Sequence, residues 1–119
     1  MNKRIFLLED DPGVRDVLQL ILELEDYEVT SFETVEKFMS HLPEVKPDLF
    51  ILDVMLPDGN GFEVCKELKE STMQTPVLMM SAHATAKNSQ EACTADAFIS
   101  KPFDMNNLLQ TVGTLVKRN

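Results

Sequence analysis

The stretch that decides the fold is Leu49–Gly61, with the sequence LFILDVMLPDGNG. Four consecutive apolar residues, Leu49–Leu52, are typical of a short buried strand. The run delivers an acid, Asp53, at its C-terminal end. Pro57–Gly61 then combines proline, aspartate, asparagine and two glycines, which is dense turn chemistry. The stretch therefore predicts a buried strand that places an aspartate at its end and leads into a tight turn.

The same pattern of a short apolar run followed by a helical stretch recurs along the whole chain. Further strands are predicted at Ile5–Leu8, Tyr27–Phe32, Pro76–Met80 and Ala97–Ser100. Apolar residues at helical spacing lie between and after them, at Val14–Leu24, Thr34–His41, Phe62–Leu68, Ala84–Ala95 and Asp104–Val116. Five strands alternating with five helices predict a doubly wound α/β fold, with a five-stranded parallel sheet and helices on both faces.

Length and charge exclude several classes of function. The 119 residues fit one domain, and 44% hydrophobic residues supply an ordinary core. Eleven Lys and Arg residues against 20 Asp and Glu residues give a net charge of −9. We therefore expect no direct nucleic acid binding, because phosphates would be repelled. No apolar run approaches the roughly 18–20 residues of a membrane span, so no membrane insertion is expected.

The chain has two cysteines, Cys65 and Cys93. Two cysteines are too few to staple a secreted domain, and neither has metal-ligand partners nearby in sequence. They are predicted to be reduced thiols of a cytoplasmic protein.

Polar residues gather at the predicted carboxyl ends of the strands, which meet at one edge of a parallel sheet. Asp10 and Asp11 follow the first strand, and Asp53 ends the third. Crowded carboxylates repel one another unless a cation is bound, and an open set of carboxylate oxygens suits Mg²⁺. Ser81 adds a hydroxyl donor and Lys101 a positive charge, so the group could accept a phosphoryl group.

In this combination the chain resembles the receiver domain of bacterial two-component response regulators. The resemblance is carried by Ile5–Asp11, Leu52–Gly61, Pro76–Ala82 and Lys101–Phe103, in that order. It implies a flavodoxin-like (βα)5 fold with strand order 2-1-3-4-5. Because the match covers essentially the whole chain, residues 1–119 are predicted to form a single receiver domain, with no output domain in this chain.

The resemblance implies a role for each matching residue. Asp53 would be the phosphoacceptor, forming an acyl phosphate. For Mg²⁺, Asp11 would be a direct ligand, Asp10 would act through water, and the backbone carbonyl of Met55 would be a third protein ligand. Glu9 and Asp58 are interpreted only as turn or solvated acids.

Three residues would respond to the phosphoryl group. Ser81 would donate a hydrogen bond to it and Lys101 would form an ion pair with it. Phe98 matches the family's aromatic switch, which turns inward as the serine moves, although a phenylalanine on a strand is more often plain core. His83, at the rim, could tune dephosphorylation or be an ordinary loop histidine.

Partners and activity follow from the same resemblance. The phosphoryl donor would be a histidine kinase or a histidine phosphotransfer protein, and an unidentified downstream protein would read the output face. The chain is expected not to be an enzyme acting on a separate substrate. Self-phosphorylation from a donor and autodephosphorylation would be its only chemistry.

Two features keep alternatives open. The interval from Ser81 to Lys101 is 20 residues, slightly short for the family, and Thr94–Ala97 replaces its usual Gly-Ala. These departures predict a short or irregular fourth helix, and leave open a phosphorylation-independent interaction module with the same fold. A flavodoxin-like nucleotide or flavin enzyme is disfavoured because no glycine-rich phosphate loop follows the first strand.

Overall fold

The structure is a computed structural model that describes residues 2–42, 46–71, 74–81 and 95–117. Its first strand, β1 (Arg4–Leu8), is buried on both faces. Ile5 and Leu7 join the apolar cluster on one side of the sheet, whereas Phe6 and Leu8 join the cluster on the other. A strand covered on both sides must be apolar at every position, which is why the sequence shows an unbroken run and no alternation.

The remaining strands and helices follow in alternation. The strands are β2 (Glu28–Phe32), β3 (Leu49–Asp53), β4 (Met55–Leu56), β5 (Gly59–Asn60), β6 (Val77–Ser81) and β7 (Ala97–Ser100). The helices are α1 (Pro12–Leu24), α2 (Val35–His41), α3 (Gly61–Glu70) and α4 (Met105–Val116). Asp104 caps the N-terminus of α4, where its side chain accepts a hydrogen bond from the Asn106 N–H.

Five of these strands form one parallel sheet in the order β2-β1-β3-β6-β7. Leaving aside the two short strands β4 and β5, this is the flavodoxin-like order 2-1-3-4-5, and the predicted fold class is confirmed. The register places the ends of β1, β3 and β6 side by side, with Leu8 beside Leu52 and Asp53 beside Met80. The carboxyl ends of the strands therefore share one edge.

The structure differs from the sequence prediction at the turn after β3. Pro57–Gly61 is predicted simply as a turn, but β4 and β5 pair there as a small antiparallel hairpin. Met55 lies opposite Asn60 and Leu56 opposite Gly59. A two-residue strand carries no periodicity that could distinguish it from a loop, so the sequence pattern could not reveal it.

On α1, the apolar stripe is wider than the face that the sheet covers. Leu18 and Leu22 are buried, but Val17 and Leu24 are exposed. The helix ends in a Schellman motif: the Asp26 N–H donates to the Glu23 carbonyl and the Tyr27 N–H to the Leu22 carbonyl. Asp26 accordingly has a positive φ of 66°, in the place that glycine usually takes.

The structure tests the sequence prediction for Cys65, but not those for Cys93 and the predicted helix Ala84–Ala95. Cys65 is buried on α3 and disulfide-bonded, so the prediction of a reduced thiol at this position is wrong, and the cysteines do not support the cytoplasmic location inferred from them. Cys93 and the predicted fourth helix, Ala84–Ala95, lie outside the described residues. Within the described ranges, no helix is long and apolar enough to span a membrane.

Candidate functional site

The candidate site is built at the carboxyl edge of the sheet, where backbone hydrogen bonds hold four strand ends together. The Glu9 N–H donates to the Phe32 carbonyl at 3.0 Å, which ties the residue after β1 to β2. The Lys101 N–H donates to the Ser81 carbonyl at 2.7 Å, which ties the residue after β7 to β6. Side chains that are far apart in sequence therefore meet in one crevice.

Asp53 lies at the centre of this crevice, at the end of β3, and only 7% of its surface is exposed. Its Oδ1 accepts a hydrogen bond from the Val54 N–H at 2.9 Å and lies 3.4 Å from the Lys101 Nζ. Among the residues that the structure describes, none donates a hydrogen bond to Oδ2. The carboxylate is therefore fixed through one oxygen while the other stays available for chemistry.

Glu9 is the residue that sequence reasoning missed. It is interpreted from sequence as a turn or solvated acid, but it is fully buried. Its Oε1 forms an ion pair with the Lys101 Nζ at 2.5 Å, and its Oε2 accepts a hydrogen bond from the Asp11 N–H at 3.2 Å. The Lys101 ammonium is therefore paired with two buried carboxylates, those of Glu9 and Asp53.

The pKa values of this pair follow from burial and charge. Burial raises the pKa of Glu9 above its usual value, and the hydrogen bond from Lys101 opposes that effect only in part. Burial, acting alone, would lower the pKa of Lys101. The hydrogen bond to Glu9 and the charges of Asp53 and Glu9 together outweigh it, so the pKa of Lys101 is raised. Lys101 therefore remains a cation throughout the neutral range.

Three carboxylates converge to form a candidate metal site. One oxygen each from Glu9, Asp10 and Asp53 lies within 4.8 Å of the others. Glu9 and Asp53 are buried, whereas Asp10 is exposed. Carboxylate oxygens are the hard donors that Mg²⁺ takes in proteins, with water completing its coordination. The residues present therefore fit a bound Mg²⁺.

The structure does not bring Asp11 into this group. Its carboxylate caps α1, where Oδ1 accepts hydrogen bonds from the Gly13 N–H at 2.8 Å and the Val14 N–H at 3.2 Å. The signal for this was present in the sequence: Pro12 follows directly, and an acid before a proline at the first helical position is a typical N-cap. The acidic pair that faces Asp53 is therefore Glu9 and Asp10.

The other predicted residues lie around this centre. Ser81 is buried at the end of β6, and Met55 is 63% exposed on β4, at the rim. Phe98 is half-buried on β7 and stacks on Phe62 of α3, with ring centroids 6.5 Å apart and an interplanar angle of 25°. His83 lies outside the described residues.

Gly61 brings α3 against the backbone of Asp53. The Gly61 N–H donates to the Val54 carbonyl at 2.7 Å, and a Cβ at this position would overlap the backbone oxygen of Asp53. Only glycine permits this approach. The predicted turn glycine therefore has a steric role at the site.

Comparison with known proteins identifies the class of protein to which this fold and crevice belong. The family model of the response regulator receiver domain matches residues 5–113. The chain belongs to this family.

Its relatives are regulators of gene expression. The chain is 34% identical to the DNA-binding dual master transcriptional regulator RpaA of Synechocystis, with 97% of this chain and 49% of that protein aligned. It is 32% identical to the alkaline phosphatase synthesis transcriptional regulatory protein PhoP of Bacillus subtilis, with 100% of this chain and 50% of that protein aligned. The chain thus spans about half the length of the curated relatives it matches.

Solved structures show the same architecture. The response regulator TrrA of Thermotoga maritima, solved in complex with Mg²⁺–BeF, superposes with a TM-score of 0.86 at 29% identity, covering 95% of this chain and 98% of that one. DrrB, a Thermotoga maritima OmpR/PhoB homologue, superposes with a TM-score of 0.89 at 28% identity, covering 99% of this chain and 54% of that one. Members of the family generally bind Mg²⁺.

Proposed function

We propose that this receiver domain accepts a phosphoryl group on Asp53 from a histidine kinase or a histidine phosphotransfer protein, in a reaction that requires Mg²⁺. The observation that carries the proposal is the arrangement around Asp53. Its carboxylate is nearly buried, lies 3.4 Å from the Lys101 ammonium, and shares a cluster of oxygens within 4.8 Å with Glu9 and Asp10.

In the transfer step, a carboxylate oxygen of Asp53 attacks the phosphorus of a phosphohistidine. The P–O bond forms as the P–N bond breaks, and the released electron pair stays on the imidazole nitrogen, which takes up a proton. Transfer of this kind depends on positioning and on neutralising charge. The Val54 N–H and Lys101 fix the carboxylate, and Lys101 is placed to pair with the incoming phosphoryl oxygens.

Asp10 and Asp53, with the Met55 carbonyl, would hold Mg²⁺, and Glu9 would stay paired with Lys101 at the edge of the cluster. When bound, the cation supplies positive charge against the phosphoryl oxygens. Asp10 takes the direct role that the sequence assigns to Asp11, because the carboxylate of Asp11 is engaged in capping α1.

The output would pass through Ser81 and Phe98. Ser81 lies buried at the end of the strand next to β3, so a hydroxyl that moves toward a phosphoryl group on Asp53 vacates space inside the sheet. Phe98 lies on the adjacent strand β7 and is half-buried, so it can move further inward. A downstream protein would read the resulting surface, and the chain itself would be no enzyme toward a separate substrate.

The net charge of −9 supports the proposal that this domain does not itself bind nucleic acid. RpaA, which is about twice this length, is named as a DNA-binding regulator. We propose a cytoplasmic location, because that is where the receivers of such regulators meet their kinases.

Acetyl phosphate, a small phosphoryl donor, tests the proposal directly. Incubation with acetyl phosphate and Mg²⁺ is expected to add one phosphoryl group, seen by intact-protein mass spectrometry, and the adduct is expected to disappear in Asp53→Asn or when EDTA is present. Asn keeps the shape of the side chain, so a folded Asp53→Asn is the matched control. An adduct that persists in Asp53→Asn, or no adduct on the wild type, would contradict the proposal.

A further inference from the structure

We propose that Asp58 is a positioning residue of the metal site. By tying the tip of the β4–β5 hairpin to the first turn of α2, it holds the backbone carbonyl of Met55 where that carbonyl can bind Mg²⁺. This inference rests on the proposed function, because it concerns how tightly the site takes up the cation that phosphoryl transfer needs.

The tip of the hairpin is tied to α2 through Asp58. Asp58 Oδ1 accepts a hydrogen bond from the Val35 N–H at 2.8 Å, and Oδ2 accepts one from the Glu36 N–H at 3.1 Å. Both oxygens are thus occupied by one helix, 22 and 23 residues away in sequence. The next residue, Gly59, comes so close that a Cβ there would lie 3.0 Å from the Val35 Cγ2. The tip is therefore fixed to α2 by charge and by contact.

The base of the hairpin continues directly from the proposed phosphoacceptor, Asp53. Val54 follows Asp53, and its carbonyl accepts the Gly61 N–H at 2.7 Å. Asn60 accepts the Phe62 N–H on its Oδ1 at 2.7 Å, which caps α3 and holds the returning strand. The hairpin thus has two anchors, one beside Asp53 and one at α2.

Met55 lies between these anchors. Its side chain is 63% exposed, so packing contributes little to its position. Its backbone is placed by its pairing with Asn60 and by the two anchors of the hairpin. Loss of the Asp58 anchor would leave the tip held only by the contact of Gly59 with Val35, and the Met55 carbonyl would then sample a wider range of positions. A carbonyl that must become ordered when the cation binds contributes less to the affinity for Mg²⁺.

The ionisation of Asp58 supports its role in holding the hairpin to α2. The hydrogen bonds from the backbone of Val35 and Glu36 hold the pKa of Asp58 below its usual value. The carboxylate is therefore charged at neutral pH, and charge-assisted hydrogen bonds to backbone N–H groups are stronger than neutral ones.

The chain offers a matched control in Thr34. Its hydroxyl oxygen accepts the Lys37 N–H at 3.2 Å and so caps the same first turn of α2. Thr34→Ala and Asp58→Ala both remove a cap from α2, but only Asp58→Ala releases the hairpin. A difference between the two variants in Mg²⁺ affinity therefore reports on the hairpin and not on the stability of the helix.

The experiment is titration of the wild type, Asp58→Ala and Thr34→Ala with MgCl2 by isothermal calorimetry, with far-UV circular dichroism to verify folding. Asp58→Ala is expected to weaken Mg²⁺ binding about 10-fold, at the lower end of the effects of residues that support a metal ligand. Thr34→Ala is expected to bind Mg²⁺ as the wild type does. Phosphorylation by acetyl phosphate should be slow in Asp58→Ala at low Mg²⁺ and recover at saturating Mg²⁺.

The outcomes separate the two proposals. Equal Mg²⁺ affinity in Asp58→Ala and the wild type, or equal weakening in Thr34→Ala, would overturn the positioning role and leave the proposed function standing. A wild type that binds no Mg²⁺ would overturn both. Should Asp58→Ala not fold, Asp58→Asn, which keeps oxygen on only one side of the group, takes its place and is expected to show a smaller weakening in the same direction.

Discussion

Glu9 is a fully buried acid whose carboxylate forms an ion pair with Lys101. A buried ion pair contributes little net stability, because desolvation of both partners offsets their attraction. Burial raises the pKa of Glu9 and so favours its neutral form, whereas Lys101 at 2.5 Å and the Asp11 N–H favour its charged form. The pairing is therefore better explained by what it does to Lys101: it aims the ammonium of Lys101 at Asp53.

The placement of Asp10 and Asp11 leads to a test with two isosteric substitutions. Asp10→Asn removes a charge from the carboxylate cluster and is expected to weaken Mg²⁺ binding at least about tenfold, since affinity for such ions follows the number of charged ligands. Asp11→Asn is expected to change it less than about twofold, because asparagine is an equally good N-cap and the Asp11 carboxylate is not in the cluster. Calorimetric titration with MgCl2 measures both.

Equal loss of Mg²⁺ affinity in Asp10→Asn and Asp11→Asn would show that Asp11 is also a Mg²⁺ ligand, as the sequence resemblance implies. The sequence could place an acidic loop after the first strand, since an apolar run that ends in charge is a strong pattern. Pro12 after Asp11 is a sequence signal that Asp11 is the N-cap of α1. The burial of Glu9 has no local signal, because it depends on an ion pair with Lys101, 92 residues away in sequence.

The contact between the helix α3 and the strand β3 leaves no room for a side chain at Gly61. Gly61→Ala is expected to destabilise the fold by at least about 3 kcal/mol, because the added Cβ would overlap the backbone oxygen of Asp53 and backbone cannot move aside as a side chain can. Urea unfolding followed by circular dichroism measures the loss.

Gly113 provides the opposite case for comparison. It lies inside α4, and among the described residues a Cβ there would meet only the Tyr27 hydroxyl oxygen, at 4.0 Å. Gly113→Ala is therefore expected to stabilise the protein by about 1 kcal/mol through helix propensity. If both substitutions shifted the urea midpoint in the same direction, the steric account of Gly61 would be wrong.

The tether between the β4–β5 hairpin and α2 predicts a pH dependence. Hydrogen bonds from Val35 and Glu36 lower the pKa of Asp58 in the folded state, so the fold favours its ionised form. This contribution to stability is fully present above the unfolded pKa, near the ordinary value of 3.8, and is lost as the pH falls through the lower folded pKa. The urea midpoint of the wild type should therefore exceed that of Asp58→Ala at neutral pH, and the gap should close in acid.

A midpoint gap that stays constant into strong acid would show that the ionised carboxylate is not what holds α2. Thr34→Ala serves again as the reference, since its hydroxyl does not titrate and its effect on the midpoint should be independent of pH.

Elements with a clear hydrophobic pattern were predictable, and the hairpin after β3 was not. β1 and β3 each contain four consecutive buried apolar residues, Ile5–Leu8 and Leu49–Leu52, because the sheet is covered on both faces, and α4 has a buried stripe at helical spacing. The β4–β5 hairpin and the Asp58 tether have no period. They arise from the tertiary placement of α2, which the local sequence of the loop does not encode.

At the scale of the whole molecule, the net charge of −9 divides into two parts with different physical effects. The convergent carboxylates of Glu9, Asp10 and Asp53 repel one another at short range in a partly dry site. Most of the other acids that the structure describes are exposed on the surface, where salt screens them within about 10 Å. A divalent cation bound at the site relieves the first repulsion, whereas simple salt relieves mainly the second.

Mg²⁺ is therefore expected to stabilise the native protein beyond any effect of ionic strength. A ligand that binds only the folded state raises the free energy of unfolding by RT ln(1 + [L]/Kd), which is about 1.4 kcal/mol at a tenfold excess over Kd. Urea unfolding in MgCl2, compared with NaCl at equal ionic strength, measures this increment. Asp10→Asn should lose most of it while keeping the response to NaCl. The same gain in both salts, or an undiminished Mg²⁺ effect in Asp10→Asn, would mean that screening of the dispersed surface charge accounts for the stabilisation and that the carboxylate cluster does not hold the cation.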